Sequence, residues 1–259
     1  MRARTGSGEA RSQGRGPRLA GDGVRWGYRD PAVAVRYDRR RYGGLGGTLR
    51  AFFVGRAVRR ALWRGGFRRG VVLDVACGTG VAARAAVGSE TRWIGVDISE
   101  GMLGIARRSH GNRHLWVRAD LEHPPFRSSA QFDAIVCLRF LAHLPVARWS
   151  AILRTLARMT EGPIIIGLPM RRSSKHWWRA FKRGVGLRAK RRPVFGGKMV
   201  LDAVSASGLE PCCNLWQSPF TDTALVVVRR VGRGGHPEAG RAGARGLTGG
   251  QATGALRSP

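Results

Sequence analysis

Three aspartates and one glycine turn are the residues of this chain whose types and spacing could form a binding site. Asp74, Asp97 and Asp120 each lie near the end of an apolar, strand-like segment. The turn Gly78 to Gly80 follows the first of these segments, and glycines there let a ligand approach the backbone closely. Carboxylates at strand ends can accept hydrogen bonds from hydroxyl and amino groups. The pattern therefore predicts a small-molecule site at one edge of a parallel sheet.

The elements that must position these residues are predicted from apolar runs that alternate with helical patterns. Five runs predict parallel strands: the first within Val71 to Gly80, then Trp93 to Val96, His114 to Ala119, Phe132 to Leu138 and Ile164 to Leu168. Helices are predicted after Gly80, after the N-cap Ser99, from Pro145 to about Met159 and from Lys198 to Ser207. Strands near Pro211 to Trp216 and Ala224 to Val228 follow. The predicted fold class is α/β, a doubly wound, seven-stranded, mostly parallel sheet with an antiparallel last strand.

The glycine turn by itself is compatible with more than one cofactor. Gly78, Gly80 and Ala83 also match the G-x-G-x-x-G/A fingerprint of dinucleotide-binding proteins, so an NAD(P) or flavin site is an alternative. Asp97 follows the turn at the distance of roughly 20 residues at which a ribose-binding carboxylate lies in such folds. Two features favour a different cofactor: Asp74 lies inside the strand before the turn, and Asp120 repeats the acidic position after the third strand.

Four motifs together resemble those of the class I S-adenosylmethionine (SAM)-dependent methyltransferases of the type 11-like, Rossmann-type group. They are LDVACGTG (Leu73 to Gly80), GVDISEGML (Gly95 to Leu103), RADLEHPPF (Arg118 to Phe126) and FDAIVCLRFLAHL (Phe132 to Leu144). The motifs occur in the order and at the spacing of that family. The resemblance implies SAM as the cofactor and a Rossmann-like fold.

The resemblance also implies a set of cofactor-binding residues. Asp74 and the turn would hold the methionine part of SAM, Asp97 the ribose hydroxyls and Asp120 the adenine edge, with Leu138 and Arg139 beside the methyl group. The implied residues are Asp74, Ala76, Cys77, Gly78, Thr79, Gly80, Asp97, Ile98, Met102, Asp120, Leu121, Leu138 and Arg139.

SAM carries its own leaving group, so methyl transfer by in-line displacement requires no metal ion and no covalent intermediate. A general base is needed if the acceptor atom is a hydroxyl or a protonated nitrogen. His143, which follows the fourth strand, is the candidate base; its alternative role is that of a capping or core histidine beside Pro145.

Three classes of function stay open. The first is methyl transfer to a small-molecule or lipid-like acceptor, which is our main hypothesis. The second is methylation of RNA, such as tRNA or rRNA, although the chain has no recognisable RNA-binding module. The third is an NAD(P)-binding or non-catalytic SAM-binding protein.

The charge of the chain bears on its partners. Forty-six Lys and Arg residues against 16 Asp and Glu give a net charge of +30. This excess of positive charge could bind nucleic acid, an acidic acceptor or an anionic membrane surface. Alternatively, it could reflect a compositional preference for arginine. The segment 171–198 interleaves basic residues with Trp177, Trp178 and Phe181 and is the candidate for nucleic-acid or peripheral membrane contact.

The domain boundaries are predicted from composition. Residues 1–23 and 232–259 are expected to be disordered Arg/Gly-rich tails, which leaves one domain over 24–231. No apolar run is long enough for a transmembrane segment or a secretory signal, so we expect a cytoplasmic protein. Cys77 and Cys137 are expected to be small buried residues near the cofactor.

The segment 24–70 is expected to form a helical cap, in which Tyr37 is a candidate lid residue. We predict a helical body from Thr48 to Arg64 and a hinge-like stretch at Gly43 to Gly47. The side chains expected on the apolar faces of this helix are those of Leu49, Phe52, Phe53, Val58, Leu62 and Trp63.

Overall fold

A seven-stranded sheet runs through the part of the chain that the computed structural model describes, residues 31–86, 90–121, 126, 132–170, 181, 194–216 and 223–232. The strands are β1 (Val71–Val75), β2 (Arg92–Asp97), β3 (Leu115–Arg118), β4 (Ala134–Leu138), β5 (Ile164–Pro169), β6 (Leu209–Trp216) and β7 (Thr223–Arg230). Their order is β3-β2-β1-β4-β5-β7-β6. β1 to β5 pair in parallel, and β7 is antiparallel to both β5 and β6. The predicted fold class is therefore confirmed.

Helices cover both faces of the sheet. They are α1 (Pro31–Tyr42), α2 (Gly44–Arg64), α3 (Glu100–His110), α4 (Trp149–Arg158) and α5 (Gly197–Ser205). Successive strand residues point to opposite faces, so neighbouring core residues such as Val72 and Leu73 join two different buried clusters. One cluster contains side chains of α2 and α3, and the other contains side chains of α4 and α5. Chain order reverses between β1 and β4, and ligands bind at such switch points in open α/β sheets.

Two predicted helices differ from those observed. The segment after the glycine turn is a short, buried 3₁₀ helix, Val81–Ala86. A 3₁₀ turn, Val146–Arg148, follows Pro145, so the α-helix predicted from Pro145 begins only at Trp149. Helical periodicity predicts that Trp149, Ile152, Leu153 and Leu156 lie on the inner side of this helix; Trp149, Leu153 and Leu156 are buried, and Ile152 is half-buried.

The prediction for the buried face of α2 is mostly wrong. Leu49, Phe52, Phe53 and Trp63 are 58%, 59%, 43% and 60% exposed, and of the predicted set only Val58 and Leu62 are buried. The buried residues of α2 are mainly small: Gly47, Ala51, Val54, Gly55, Ala57, Val58, Ala61 and Leu62. Small side chains let α2 pack closely on the 3₁₀ helix, since a methyl group at Gly55 would lie 3.0 Å from Cβ of Arg84.

The predicted glycine hinge, Gly43 to Gly47, is shorter than expected, because the break between α1 and α2 lies at Gly43. The helix begins at Gly44, so Gly46 and Gly47 belong to its first turn. Gly47 is buried, and a Cβ at this position would overlap the backbone of Tyr42. Glycine is required there because the end of α1 passes directly against α2.

Several other predictions concern residues outside the described part. They are the two tails and nearly all of the segment 171–198, so these domain boundaries stay predictions. Within the described residues, no helix is both long and apolar enough to cross a membrane.

Two glycines of the turn offer a matched test of close packing. Both have left-handed backbone angles, φ +57° at Gly78 and φ +72° at Gly80. A Cβ at Gly78 would meet nothing within 4 Å, whereas one at Gly80 would lie 2.6 Å from the indole of Trp116. We expect Gly78→Ala to lower the free energy of unfolding by about 1–2 kcal/mol, from backbone strain alone. Gly80→Ala should lower it by about 2–5 kcal/mol, because overpacking against Trp116 adds to that strain. Urea denaturation measures both, and equal losses would contradict the proposed role of Trp116.

Candidate functional site

A cavity of about 400 Å³ opens at the carboxyl ends of β1 to β4. All the predicted cofactor-binding residues line it except Gly80, which instead lies against Trp116. His143, the candidate base, also lines the cavity. The structure thus brings together residues from the ends of four strands. In sequence these residues are up to 69 positions apart, which is the separation between Asp74 and His143.

Asp97 connects the glycine turn to the start of α3. Its Oδ2 accepts from the Gly78 N–H at 2.8 Å, and its Oδ1 accepts from the Ser99 N–H at 2.9 Å. Burial raises the pKa of Asp97, while these backbone donors act in the opposite direction. Each carboxylate oxygen can accept more than one hydrogen bond, so Asp97 keeps the capacity to bind ligand hydroxyls. Ser99 accepts from the Met102 N–H and forms the predicted N-cap of α3.

Asp74 is the one carboxyl-bearing residue in the described part of the chain whose side chain is buried. It is 2% exposed, and its Oδ2 has no hydrogen-bond partner within the described part of the chain. Burial, together with the nearby charge of Asp97, raises the pKa of Asp74 well above its ordinary value. A buried carboxylate oxygen without a donor is costly. A cationic or hydrogen-bond-donating ligand in the cavity would remove this cost.

The glycine turn leaves room for such a ligand. Ala76 and Gly78 both have positive φ angles, +52° and +57°, and the space above Gly78 is open. Positive φ is strained for alanine, and such strain is concentrated at binding sites. Cys77 is buried, and burial with the charges of Asp74 and Asp97 raises the pKa of its thiol well above the ordinary range. The pKa of Cys137 is raised to about 12, chiefly by burial. Both cysteines are small buried residues, as predicted, and neither is poised as a thiolate.

The other side of the cavity is formed by β4 and α1. Arg139, whose backbone has φ +64°, donates from Nη2 to the Tyr37 hydroxyl at 2.8 Å and to the Tyr42 hydroxyl at 3.4 Å. His143 is exposed, yet partial desolvation, together with the charge of Arg139, lowers its pKa. The imidazole is therefore neutral near pH 7 and able to accept a proton.

Several residues that line the cavity have little signal in the sequence. α1 contributes Arg40, Arg41 and Tyr42 besides Tyr37, the predicted lid residue. The only local signal was the run RYDRRRY, which places tyrosines and arginines on neighbouring turns of a helix. Pro169 and Thr223, from β5 and β7, also line the cavity. Among the described residues, no group of His, Cys, Asp or Glu side chains could hold a metal ion.

Comparison with known proteins adds to this geometry. Residues 72–162 match a family model described as a methyltransferase domain. A ubiquinone biosynthesis O-methyltransferase from Aromatoleum aromaticum is 30% identical over 77 residues, 29% of this chain and 33% of that protein. A magnesium-protoporphyrin O-methyltransferase from Synechocystis is 28% identical over 102 residues, 37% of this chain and 43% of that protein. The chain thus matches between a third and a half of the length of these relatives.

The fold likeness extends further than the sequence match. The crystal structure of magnesium protoporphyrin IX methyltransferase from Synechocystis with bound SAH has a TM-score of 0.61. The two proteins are 20% identical in sequence, and their superposition covers 82% of this chain and 100% of the crystallised protein. At this identity the likeness establishes the fold.

Proposed function

We propose a methyl-transfer activity for this chain, whose residues 72–162 match a methyltransferase domain and whose fold is that of the class I SAM-dependent methyltransferases. The proposed reaction moves a methyl group from SAM to a hydroxyl oxygen of a small-molecule or lipid-like acceptor. One observation carries the proposal: Asp74 places a buried carboxylate oxygen, which has no hydrogen-bond partner among the described residues, beside Asp97 in a cavity at the switch point of the sheet.

The residues present suit SAM. Oδ2 of Asp74 has no hydrogen-bond donor within the described part of the chain, and the amino-acid end of SAM carries an ammonium group that would supply one. The open space at Gly78 admits a ligand against the backbone of the turn. Asp97 is held in place by two backbone N–H groups and keeps lone pairs for ribose hydroxyls. Asp120 and Leu121 would then lie at the adenine edge.

SAM supplies a methyl group that is already activated for transfer. The tasks left to the protein are to hold the acceptor in line, to exclude water and to receive a proton. The apolar side chains of Leu138, Phe140 and Leu144 line the cavity and would help to exclude water. His143, neutral near pH 7, would accept the proton of the acceptor hydroxyl.

The nature of the acceptor is inferred from the relatives. The curated proteins named above are O-methyltransferases of ubiquinone biosynthesis and of magnesium-protoporphyrin, which favours a small-molecule acceptor and an oxygen as the methyl-accepting atom. The comparisons do not support an RNA acceptor.

Titration of the full-length protein with SAM, its demethylated product SAH and NADH tests the proposal. We expect SAM and SAH to bind with dissociation constants at or below the order of 10⁻⁵ M and NADH not to bind at tenfold higher concentration. Binding of NADH alone would mean that Gly78 and Gly80 form a dinucleotide site, and the proposal would then be wrong.

Replacement of His143 tests its role in proton transfer. We expect His143→Ala to lower kcat by about 10²–10⁴-fold and to change SAM affinity by less than about threefold. Because the pKa of His143 is lowered from 6.5, protonation should inactivate the wild-type enzyme only below pH 6.5. A pH profile of kcat measures this limb, which should disappear in the variant. Unchanged turnover would remove His143 from the mechanism.

A further inference from the structure

The cavity has an acidic side and a basic side. Asp74, Asp97 and Asp120 line it from β1, β2 and the end of β3. The guanidinium-bearing residues Arg40, Arg41 and Arg139 line it from α1 and from the turn after β4. The strand order β3-β2-β1-β4 separates the two sets, because the three aspartates lie on one side of the switch point and Arg139 on the other. The proposed cofactor accounts for the acidic side and leaves the basic side to be explained.

Two arginines and two tyrosines form a connected group on the basic side, which we call the Arg–Tyr cluster: Tyr37, Arg41, Tyr42 and Arg139. Arg139 donates to both tyrosine hydroxyls, 97 and 102 residues away in sequence. The guanidinium of Arg41 lies 6.0 Å from the ring centroid of Tyr37 and 5.9 Å from that of Tyr42. The tyrosine rings are themselves in edge contact, with centroids 6.5 Å apart. The cluster therefore joins α1 to the turn after β4 through polar contacts.

Arg41 and Tyr42 leave hydrogen-bond donors of the cluster for a ligand. The buried Nε of Arg41 has no hydrogen-bond partner among the described residues. A tyrosine hydroxyl that accepts from Arg139, as that of Tyr42 does, still has its own hydrogen to donate. Guanidinium groups bind carboxylates through two parallel N–H bonds, and a tyrosine hydroxyl can add a third. A group of this composition suits an anionic ligand.

The backbone conformation of Arg139 is strained, which indicates that the fold holds this side chain in one defined place. Its left-handed conformation, φ +64°, costs about 1–3 kcal/mol for a residue with a side chain. Its N–H donates to the Gly167 carbonyl of β5 at 2.7 Å, which helps to fix this conformation. A glycine there would avoid the strain but would lack the guanidinium.

We propose that the Arg–Tyr cluster binds a carboxylate of the methyl acceptor, so that the substrate is a small hydroxy acid whose hydroxyl faces His143. The inference rests on the proposed methyl-transfer function and specifies the substrate class for the same site. His143 and Arg139 lie in the same turn after β4 and line the same cavity, so an acid held by Arg139 lies within reach of the candidate base.

The carboxylate of SAM is the other anion that could occupy the cluster. SAM brings one carboxylate, whereas three arginines line the cavity. Arg139 belongs to the β4 side, next to His143, and not to the glycine turn that holds the amino-acid end of SAM in the proposed site. The two sources of the anion predict different responses of SAH binding to a change at Arg139.

Binding of acid and amide pairs to the full-length protein saturated with SAH tests the inference. The probes are 4-hydroxybenzoate, 4-hydroxycinnamate and 3-hydroxy-2-naphthoate, each paired with its uncharged primary amide, in calorimetric titrations. We expect at least one acid to bind about tenfold or more tightly than its amide. Arg139→Gln should reduce this ratio to below about twofold, and Arg139→Lys should restore part of it. Because Arg139 is implied to lie beside the methyl group, which SAH lacks, Arg139→Gln should change SAH affinity by less than about threefold.

Arg154→Gln is the matched control, because it removes the same charge from an exposed arginine of α4 that donates to the Ala206 carbonyl. This control variant should leave the ratio of acid affinity to amide affinity unchanged. It distinguishes binding by the Arg–Tyr cluster from the general attraction of acids to a chain with net charge +30. The inference is wrong if no acid binds better than its amide, or if Arg139→Gln keeps the ratio. It is also wrong if Arg139→Gln weakens SAH binding tenfold, since the cluster then holds the carboxylate of SAM. Failure of the wild-type protein to bind SAH would instead overturn the proposed function.

Discussion

Replacing Asp97 with alanine is expected to weaken SAM binding by at least about 100-fold. The carboxylate organises the site, because it accepts from the N–H groups of Gly78 and Ser99 at 2.8 and 2.9 Å. Hydrogen bonds to a charged group contribute about 1.5–3 kcal/mol each, and the proposed contacts to the ribose would be lost as well. A loss of about 3 kcal/mol corresponds to more than 100-fold in the dissociation constant. Calorimetric titration with SAM and SAH measures the effect.

Asp133 provides a matched control for Asp97. It also accepts a backbone hydrogen bond, from the Val71 N–H at 2.7 Å, but at the amino ends of β1 and β4. Asp133→Ala should therefore reduce the stability of the protein without changing SAM affinity by more than about twofold. If Asp97→Ala and Asp133→Ala weaken SAM binding to the same extent, then Asp97 acts only through the stability of the sheet.

Replacing Asp74 with asparagine is expected to stabilise the protein without ligand while weakening SAM binding about tenfold or more. The wild-type carboxyl is buried next to Asp97, and this raises its pKa well above the ordinary value of 3.8. Because the folded pKa is raised, the stability that this carboxyl contributes is complete below pH 3.8 and is lost as the pH rises through the folded pKa. Asparagine has the same shape but no charge. We expect it to raise the free energy of unfolding at pH 8 by about 1–3 kcal/mol.

Thermal and urea unfolding at pH 4 and pH 8 measure the effect of Asp74→Asn. The stabilisation should be largest at pH 8 and should shrink toward pH 4, where the wild-type carboxyl is protonated. Asp202→Asn is the control, since Asp202 is exposed and pairs with Lys198, and such a pair contributes at most about 1 kcal/mol. A destabilised Asp74→Asn protein at pH 8 would show that the carboxylate has a structural partner when no ligand is bound.

The sequence alone determined the sheet and the acidic side of the site. The central strands β1, β4 and β5 are nearly continuous apolar runs, because the middle of a parallel sheet between two helical layers is buried on both faces, and this pattern is local. Asp74 and Asp97 lie at or near the carboxyl ends of β1 and β2, and the glycine turn follows β1 closely in the chain. Their meeting at one edge follows from parallel pairing, which places the carboxyl ends of β1 and β2 side by side. The cavity at this edge is therefore where the sequence predicts it.

Only the tertiary structure decided which face of α2 is buried and what lies opposite the aspartates. Periodicity identifies residues that share a helical face, but α2 carries both a face of small residues and one of large apolar residues. Close contact with the 3₁₀ helix admits only the small ones. Likewise, the contacts of Arg139 with Tyr37 and Tyr42 span about 100 positions. No local pattern encodes such a distance, and it exists because α1 folds back over the carboxyl end of β4.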